Sequence, residues 1–133
     1  MNVFSCLKNM NILLIDDDEW IRDAMRIFFE TENCKIIALE TAEEALKMLH
    51  QQEYDIVICD YKLPGLNGLT FLKEVRQAQS SALTIMITAY KTAHLVSEAK
   101  KIGVHGFIAK PFTSESIEAA LSHLIAERKY GNH

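Results

Sequence analysis

Five times along the chain a short apolar run rich in β-branched residues gives way to a stretch whose apolar positions recur at three and four. The runs occupy residues 11–15, 35–39, 55–59, 83–87 and 104–109. Near-continuous apolar runs suit strands buried on both faces, and the stretches between them suit helices that cover those faces. Right-handed crossovers place each helix over one face or the other. The expectation is therefore a doubly wound α/β domain: a five-stranded parallel sheet in the order 2-1-3-4-5, flanked by five helices.

The helical stretches carry their own signals. Ile21, Ala24, Met25, Phe28 and Phe29 form one stripe, predicting a first helix that ends near Asn33. Thr41 and Glu44 have capping-box spacing ahead of Ala45, Leu46 and Leu49. Asn67 follows a Pro- and Gly-containing loop and can cap a helix buried through Leu69, Leu72 and Val75. A weaker helix over 92–101 has small residues at its apolar positions Ala93, Val96 and Ala99, so it is a candidate moving part. The last, over 113–128, buries Ile117, Ala120, Leu121, Leu124 and Ile125. Residues 1–10 show no clear period and read as an N-terminal extension, with the domain over 11–128 and a tail over 129–133.

Composition narrows the function. At 133 residues and 49% apolar content the chain fits one packed domain. A net charge of −4 without a Lys/Arg cluster excludes a nucleic-acid face. Cys6, Cys34 and Cys59 are odd in number and lack CxxC spacing, which suits a reducing compartment, so a cytoplasmic location is expected. The apolar run before Asp16 is too short for a signal peptide or a membrane span.

Four of the five runs stop at a residue able to do metal or phosphate chemistry: Asp16-Asp17-Asp18, Asp60, Thr88 and Lys110. In parallel strands these ends converge, and ligand sites of open α/β sheets form there. The second run, ending at Leu39-Glu40-Thr41, belongs at an edge, so Asp16, Asp17 and Asp60 flank the switch point between strands one and three. Three close carboxylates repel one another unless a cation offsets them. An oxygen-only cluster without His or Cys selects a hard ion, naturally Mg2+. Taken alone, the acids from Asp16 to Glu19 equally suit the start of a helix, and an Asp60–Lys110 salt bridge could be purely structural. Thr88 and Lys110 add a hydroxyl donor and an ammonium, the partners a phosphoryl group needs. Asp60 is then a candidate nucleophile forming an acyl phosphate. Without a placed general base that state should be metastable, which describes a switch rather than a conventional enzyme.

These residues resemble the receiver domain of two-component response regulators over about residues 10–128. The resemblance is carried by Ile15-Asp16-Asp17-Asp18 with Arg22, Asp55-Ile-Val-Ile-Cys-Asp60, Leu63-Pro64-Gly65-Leu66-Asn67-Gly68, Ile87-Thr88-Ala89 and Phe107-Ile-Ala-Lys110-Pro111-Phe112. It implies a flavodoxin-like fold, Asp60 as phosphoacceptor, Asp17 as a direct Mg2+ ligand, Asp16 as a ligand through water and the Lys62 carbonyl as another. It further implies a cis Lys110-Pro111 bond, and a phosphohistidine donor on a sensor histidine kinase or histidine phosphotransfer protein. Thr88 and Phe107 would form the switch, reshaping the face of the fourth helix, fifth strand and fifth helix, through which a phosphorylation-dependent homodimer is expected. Phe107 lacks the hydroxyl that many relatives carry there. Lys62 and Tyr90 would tune how long the phosphoryl group survives.

A rival reading is an aspartyl-phosphate hydrolase of haloacid dehalogenase type, for which Asp16-x-Asp18 offers a superficial match. It leaves Asp60 and the Lys110-Pro111-Phe112 run unexplained. The five histidines lack metal-ligand spacing and read as surface or helix-end residues, and Cys59 as a small buried hydrophobe. About five residues follow the last expected helix, too few for an effector domain. The chain thus reads as a stand-alone relay or as the receiver excised from a longer DNA-binding regulator.

Overall fold

Register decides which side chains reach the same end of a sheet. In the computed structural model, which describes residues 3–130, strands β1 (Asn11–Ile15), β2 (Lys35–Leu39), β3 (Ile56–Asp60), β4 (Leu83–Thr88) and β5 (Gly106–Ala109) are all parallel in the order β2-β1-β3-β4-β5. Ile15 lies opposite Leu39 and Cys59, Asp60 opposite Ile87, and Thr88 opposite Ala109. The ladder extends one residue further in places. Asp16 N–H donates to the Leu39 carbonyl (3.1 Å), Tyr61 N–H to Ile87 (3.0 Å) and Lys110 N–H to Thr88 (2.9 Å).

Alternation along the strands divides the core in two. Ile12, Leu14, Ile56, Ile58, Ile85 and Ile87 face helices α2 (Glu19–Thr31) and α6 (Ser114–Tyr130), packing with Met25, Phe29, Ile117 and Leu121. Leu13, Ile15, Val57, Cys59 and Met86 face α3 (Ala42–Leu49), α4 (Gly68–Ala78) and α5 (Ala93–Ile102), packing with Ala45, Phe71, Leu72, Val75, Leu95 and Ala99. The expected caps form. Thr41 and Glu44 make a reciprocal capping box, and Asn67 accepts from Thr70 N–H at 2.9 Å. Thr92 accepts from Leu95 N–H at 3.1 Å, and Gly103 ends α5 in the left-handed region at φ 93°.

Several expectations need correction. The described residues hold six helices, not five, because part of the expected extension is helix α1 (Val3–Leu7). Its Val3, Phe4 and Leu7 are buried against the sheet face under α2 and α6, and the Phe4 ring stands 5.4 Å from that of Phe28. In so short a segment three apolar residues show no period, so the sequence gives no sign of it. The first long helix stops at Thr31, and Asn33 turns the chain at φ 61°. The fifth strand begins at Gly106, and the last helix continues to Tyr130, inside the expected tail. Residues 1–2 and 131–133 of the expected extension and tail lie outside the described residues. Helix α5 buries Leu95 and Ala99, whereas Ala93 is exposed and Val96 half-buried, because its packed stripe runs through Leu95, Ala99 and Ile102 rather than through Ala93, Val96 and Ala99. No helix among the described residues is long and apolar enough to cross a membrane.

Leu7 is fully buried in the main core. Leu7→Ala is expected to cost about 2–4 kcal/mol in urea unfolding, the range for a large-to-small core change. A segment merely appended to the domain would give no measurable change.

Candidate functional site

Every strand of this sheet delivers the chain to the same end, and four of them deliver a polar side chain there. Asp16 is fully buried at the exit of β1, Asp60 is the last residue of β3, Thr88 the last of β4, and Lys110 follows β5 directly. Asp17, Asp60, Thr88 and Lys110 line one cleft of about 280 Å3 together with Lys62 and Tyr90. The seven residues expected at this end thus come together, with Asp16 in contact through Lys110. Phe107 is half-buried on β5 among the residues packed under α4 and α5, with Lys91 Nζ 5.4 Å from its ring centroid.

The Lys110 ammonium bridges two carboxylates. Its Nζ lies 3.2 Å from Asp16 Oδ2 and 3.1 Å from Asp60 Oδ1. The bond between Lys110 and Pro111 is cis, as the resemblance implies. Asp16 is held firmly: Asp18 N–H donates to its Oδ1 (2.9 Å) and Arg22 Nη1 to its carbonyl oxygen (2.9 Å). Its buried Oδ2 accepts no well-aligned hydrogen bond. Tyr90 N–H donates to Thr88 Oγ1 (3.0 Å), and Lys62 Nζ sits 4.8 Å over the Tyr90 ring.

Carboxylate oxygens of Asp16, Asp17 and Asp60 all lie within 4.8 Å of one another. Burial raises the pKa of Asp60, with repulsion from Asp16 adding to it and Lys110 opposing it. Burial likewise raises that of Asp16, opposed by the Asp18 N–H and by Lys110. For Lys110 burial lowers the pKa, but the two carboxylates together outweigh it and the net shift is upward. One ammonium therefore leaves an uncompensated excess of negative charge. The three carboxylates sharing one ammonium and the all-oxygen donor set fit a hard divalent cation such as Mg2+. Cys59 is sealed beneath, its thiol pushed well up by burial and by both carboxylates.

Gly68 belongs to this site although sequence reasoning gave it no role beyond the loop. A Cβ there would lie 2.3 Å from the Asp60 carbonyl oxygen, and Gly68 N–H donates to Tyr61 O at 2.8 Å. The start of α4 is thereby drawn against the strand end that carries Asp60. A Gly directly after the Asn67 cap was the available signal.

The sequence profile described as the response regulator receiver domain matches residues 12–122. The chain is 29% identical to Sporulation initiation phosphotransferase F of Bacillus subtilis, over 86% of this chain and 93% of that protein. It is also 29% identical to the Hydrogenase transcriptional regulatory protein HoxA of Cupriavidus necator, over 83% of this chain but 23% of that protein. The chain spans less than a third of the length of several curated relatives it matches. Its fold is that of the chemotaxis response regulator CheY4 of Vibrio cholerae, with a TM-score of 0.81 at 24% identity, covering 86% of this chain and 98% of the other. The chain belongs to the receiver domains of two-component response regulators. The haloacid dehalogenase alternative finds no support among these relatives.

The raised carboxylate pKa values carry a sign for stability. A carboxyl whose folded pKa is raised stabilises the fold below its unfolded pKa and loses that contribution as pH rises through the folded value. At neutral pH, Asp60 therefore strains the metal-free protein. Asp60→Asn is expected to raise the melting temperature in EDTA at neutral pH by a few degrees. The gain should vanish at acid pH, as differential scanning calorimetry would read.

Proposed function

We propose that Asp60 is the phosphoacceptor of this receiver, taking a phosphoryl group from a histidine of a sensor kinase or phosphotransfer protein. The observation that carries this is the Lys110 ammonium 3.1 Å from Asp60 Oδ1, in the cleft that Thr88 lines. A carboxylate oxygen of Asp60 attacks phosphorus; the P–O bond forms as the P–N bond breaks, and the electron pair remains on the departing imidazole. Lys110 neutralises charge on the transferred group and the Thr88 hydroxyl donates to one of its oxygens. Asp16, Asp17 and Asp60 with the Lys62 carbonyl would hold Mg2+, whose charge offsets that of the phosphoryl oxygens.

Movement of Thr88 toward that group frees the Tyr90 N–H it now accepts from, and the half-buried Phe107 ring can then turn inward. With α1 counted, the surface this reshapes is α5, β5 and α6. Phosphorylation shifts a two-state equilibrium there, and a second phosphorylated copy docking on this face is the output we favour. Helix α5 rests on Leu95 and Ala99, so its repositioning disturbs little core. We place the protein in the cytoplasm, where its donor kinase domains act.

Acetyl phosphate with Mg2+ is expected to add one phosphoryl group to the wild type and none to Asp60→Asn, read by intact mass. Beryllofluoride should shift amide resonances over residues 91–112 in the wild type alone. Unchanged resonances there would sink the switch.

Lys62 and Tyr90 stack across the approach to Asp60. Shielding that path from water slows hydrolysis, so Lys62→Asn with Tyr90→Glu is expected to shorten the lifetime of the phosphorylated form several-fold, a barrier change of about 1 kcal/mol. An equal or longer decay time in the double variant would contradict this role.

A further inference from the structure

The amino ends of β4 and β5, opposite the carboxylate site, border a second cleft of about 520 Å3 between the C-terminal parts of α4 and α6. Leu83 and Leu124 give it apolar walls, while Arg76, His105 and Arg128 give it donors. Arg76 Nη1 donates to the Ser80 carbonyl at 2.6 Å, and Arg128 Nη2 donates to that of Ser81. Each bond uses one of five guanidinium N–H groups. Among the described residues neither guanidinium is paired with a carboxylate, and Glu127, the acid in the lining, instead faces His123 at 3.1 Å.

His105 adds a donor of defined tautomer. Thr84 N–H donates to its Nδ1 at 3.0 Å, so that nitrogen carries no proton and the ring hydrogen sits on Nε2. Thr84 Oγ1 donates to the Gly103 carbonyl at 3.2 Å and also lies 3.0 Å from Nδ1. Burial and the two arginines hold the ring below its usual pKa, which agrees with a neutral imidazole beside two cations. The backbone also makes room. Gly103, at φ 93°, stands where a Cβ would lie 2.7 Å from Arg76 Nε.

We propose that this cleft is a ligand site for the phosphate group of a small phosphorylated compound of nucleotide size. Two guanidinium groups and an imidazole line the cleft from α4, α6 and the entry to β5, and their two positive charges and several N–H donors match a phosphate dianion. The volume falls within the range of small-molecule sites, and the leucine walls suit the apolar face of the attached body. This site is independent of Asp60 and of the phosphotransfer reading.

The test titrates adenosine 5′-monophosphate and, separately, inorganic phosphate into the full chain in EDTA, reading amide resonances of the wild type, Arg128→Gln, Arg76→Gln and Asp60→Asn. Saturable shifts are expected at Thr84, Gly103 and His105, with the nucleotide binding more tightly than phosphate. Each arginine variant should bind about tenfold more weakly, the loss of one charge-assisted contact, while Asp60→Asn binds as the wild type does. Arg128→Lys should recover part of the affinity. Thermal unfolding of each variant separates lost binding from lost fold, and the exposed Arg128 provides the reading if Arg76→Gln unfolds. No saturable shift up to about 10 mM, far weaker than a specific site, or equal affinity in Arg128→Gln, would overturn the site. Equal affinity for phosphate and nucleotide would overturn the nucleotide-sized ligand, and shifts lost in Asp60→Asn would return the binding to the carboxylate cleft.

Discussion

Two buried carboxylates, Asp16 and Asp60, share one ammonium, and much of the molecule is arranged around that imbalance. Removing a carboxylate from water costs several kcal/mol unless it is paired. Lys110 offsets part of the cost at 3.2 and 3.1 Å, and backbone geometry supplies the rest of the positioning. Asp16 is fixed by the Asp18 N–H and by Arg22 on its carbonyl. Asp60 is fixed by its place at the end of β3 and by the close approach of Gly68. What remains is a preorganised deficit of positive charge, with three carboxylates gathered around one ammonium. Such a site has more to gain from a cation and a phosphoryl group than from its own internal contacts.

Much of this arrangement was legible in the residues because the parallel sheet converts one-dimensional order into convergence. Strands that stop at Asp16, Asp60, Thr88 and Lys110 must deliver those side chains to one end, whatever their loops do. The expected order 2-1-3-4-5 puts the one strand without a chemical terminator at the edge, where the structure places β2. Helix boundaries were legible where a cap was present, as at Thr41 and Asn67. They drifted where the apolar stripe was thin, as in α5. Helix α1 was not legible, because five residues hold too few positions to show a period, and its burial is decided by tertiary contact with Phe28 and α6.

The conformational chemistry is distributed unevenly. Helix α4 buries Phe71, Leu72 and Val75 and is tied to β3 through Gly68. Helix α5 buries two side chains, one of them an alanine. An element with a small buried area has a small free-energy cost of displacement. The part of the fold nearest Thr88 is thus the part most easily moved, while the helix next to Asp60 stays as a fixed wall of the site.

One polarity accounts for the opposite chemistry at the two ends of the sheet. In a parallel α/β layer, helices begin at the carboxyl ends of the strands and finish at the amino ends, so their dipoles gather positive ends on one side and negative ends on the other. Helices α2 to α6 each follow the carboxyl end of a strand, the side of the sheet that holds the Asp60 cleft, where fixed N–H dipoles favour anionic groups. Arg76 and Arg128 lie in the last turns of α4 and α6, where cations are favoured. Dipole stabilisation alone asks only that the arginines sit near the last carbonyls of their own helices. Instead Arg76 and Arg128 reach beyond α4 to the carbonyls of Ser80 and Ser81, which brings guanidiniums from two separate helices to a single cleft. Thr84 and Thr88 lie four residues apart on β4, so about 13 Å of one rigid strand separates the bond to His105 from the hydroxyl in the Asp60 cleft. The same strand therefore supports a cationic cleft at its start and an anionic one at its end, each on the side where the backbone field favours it.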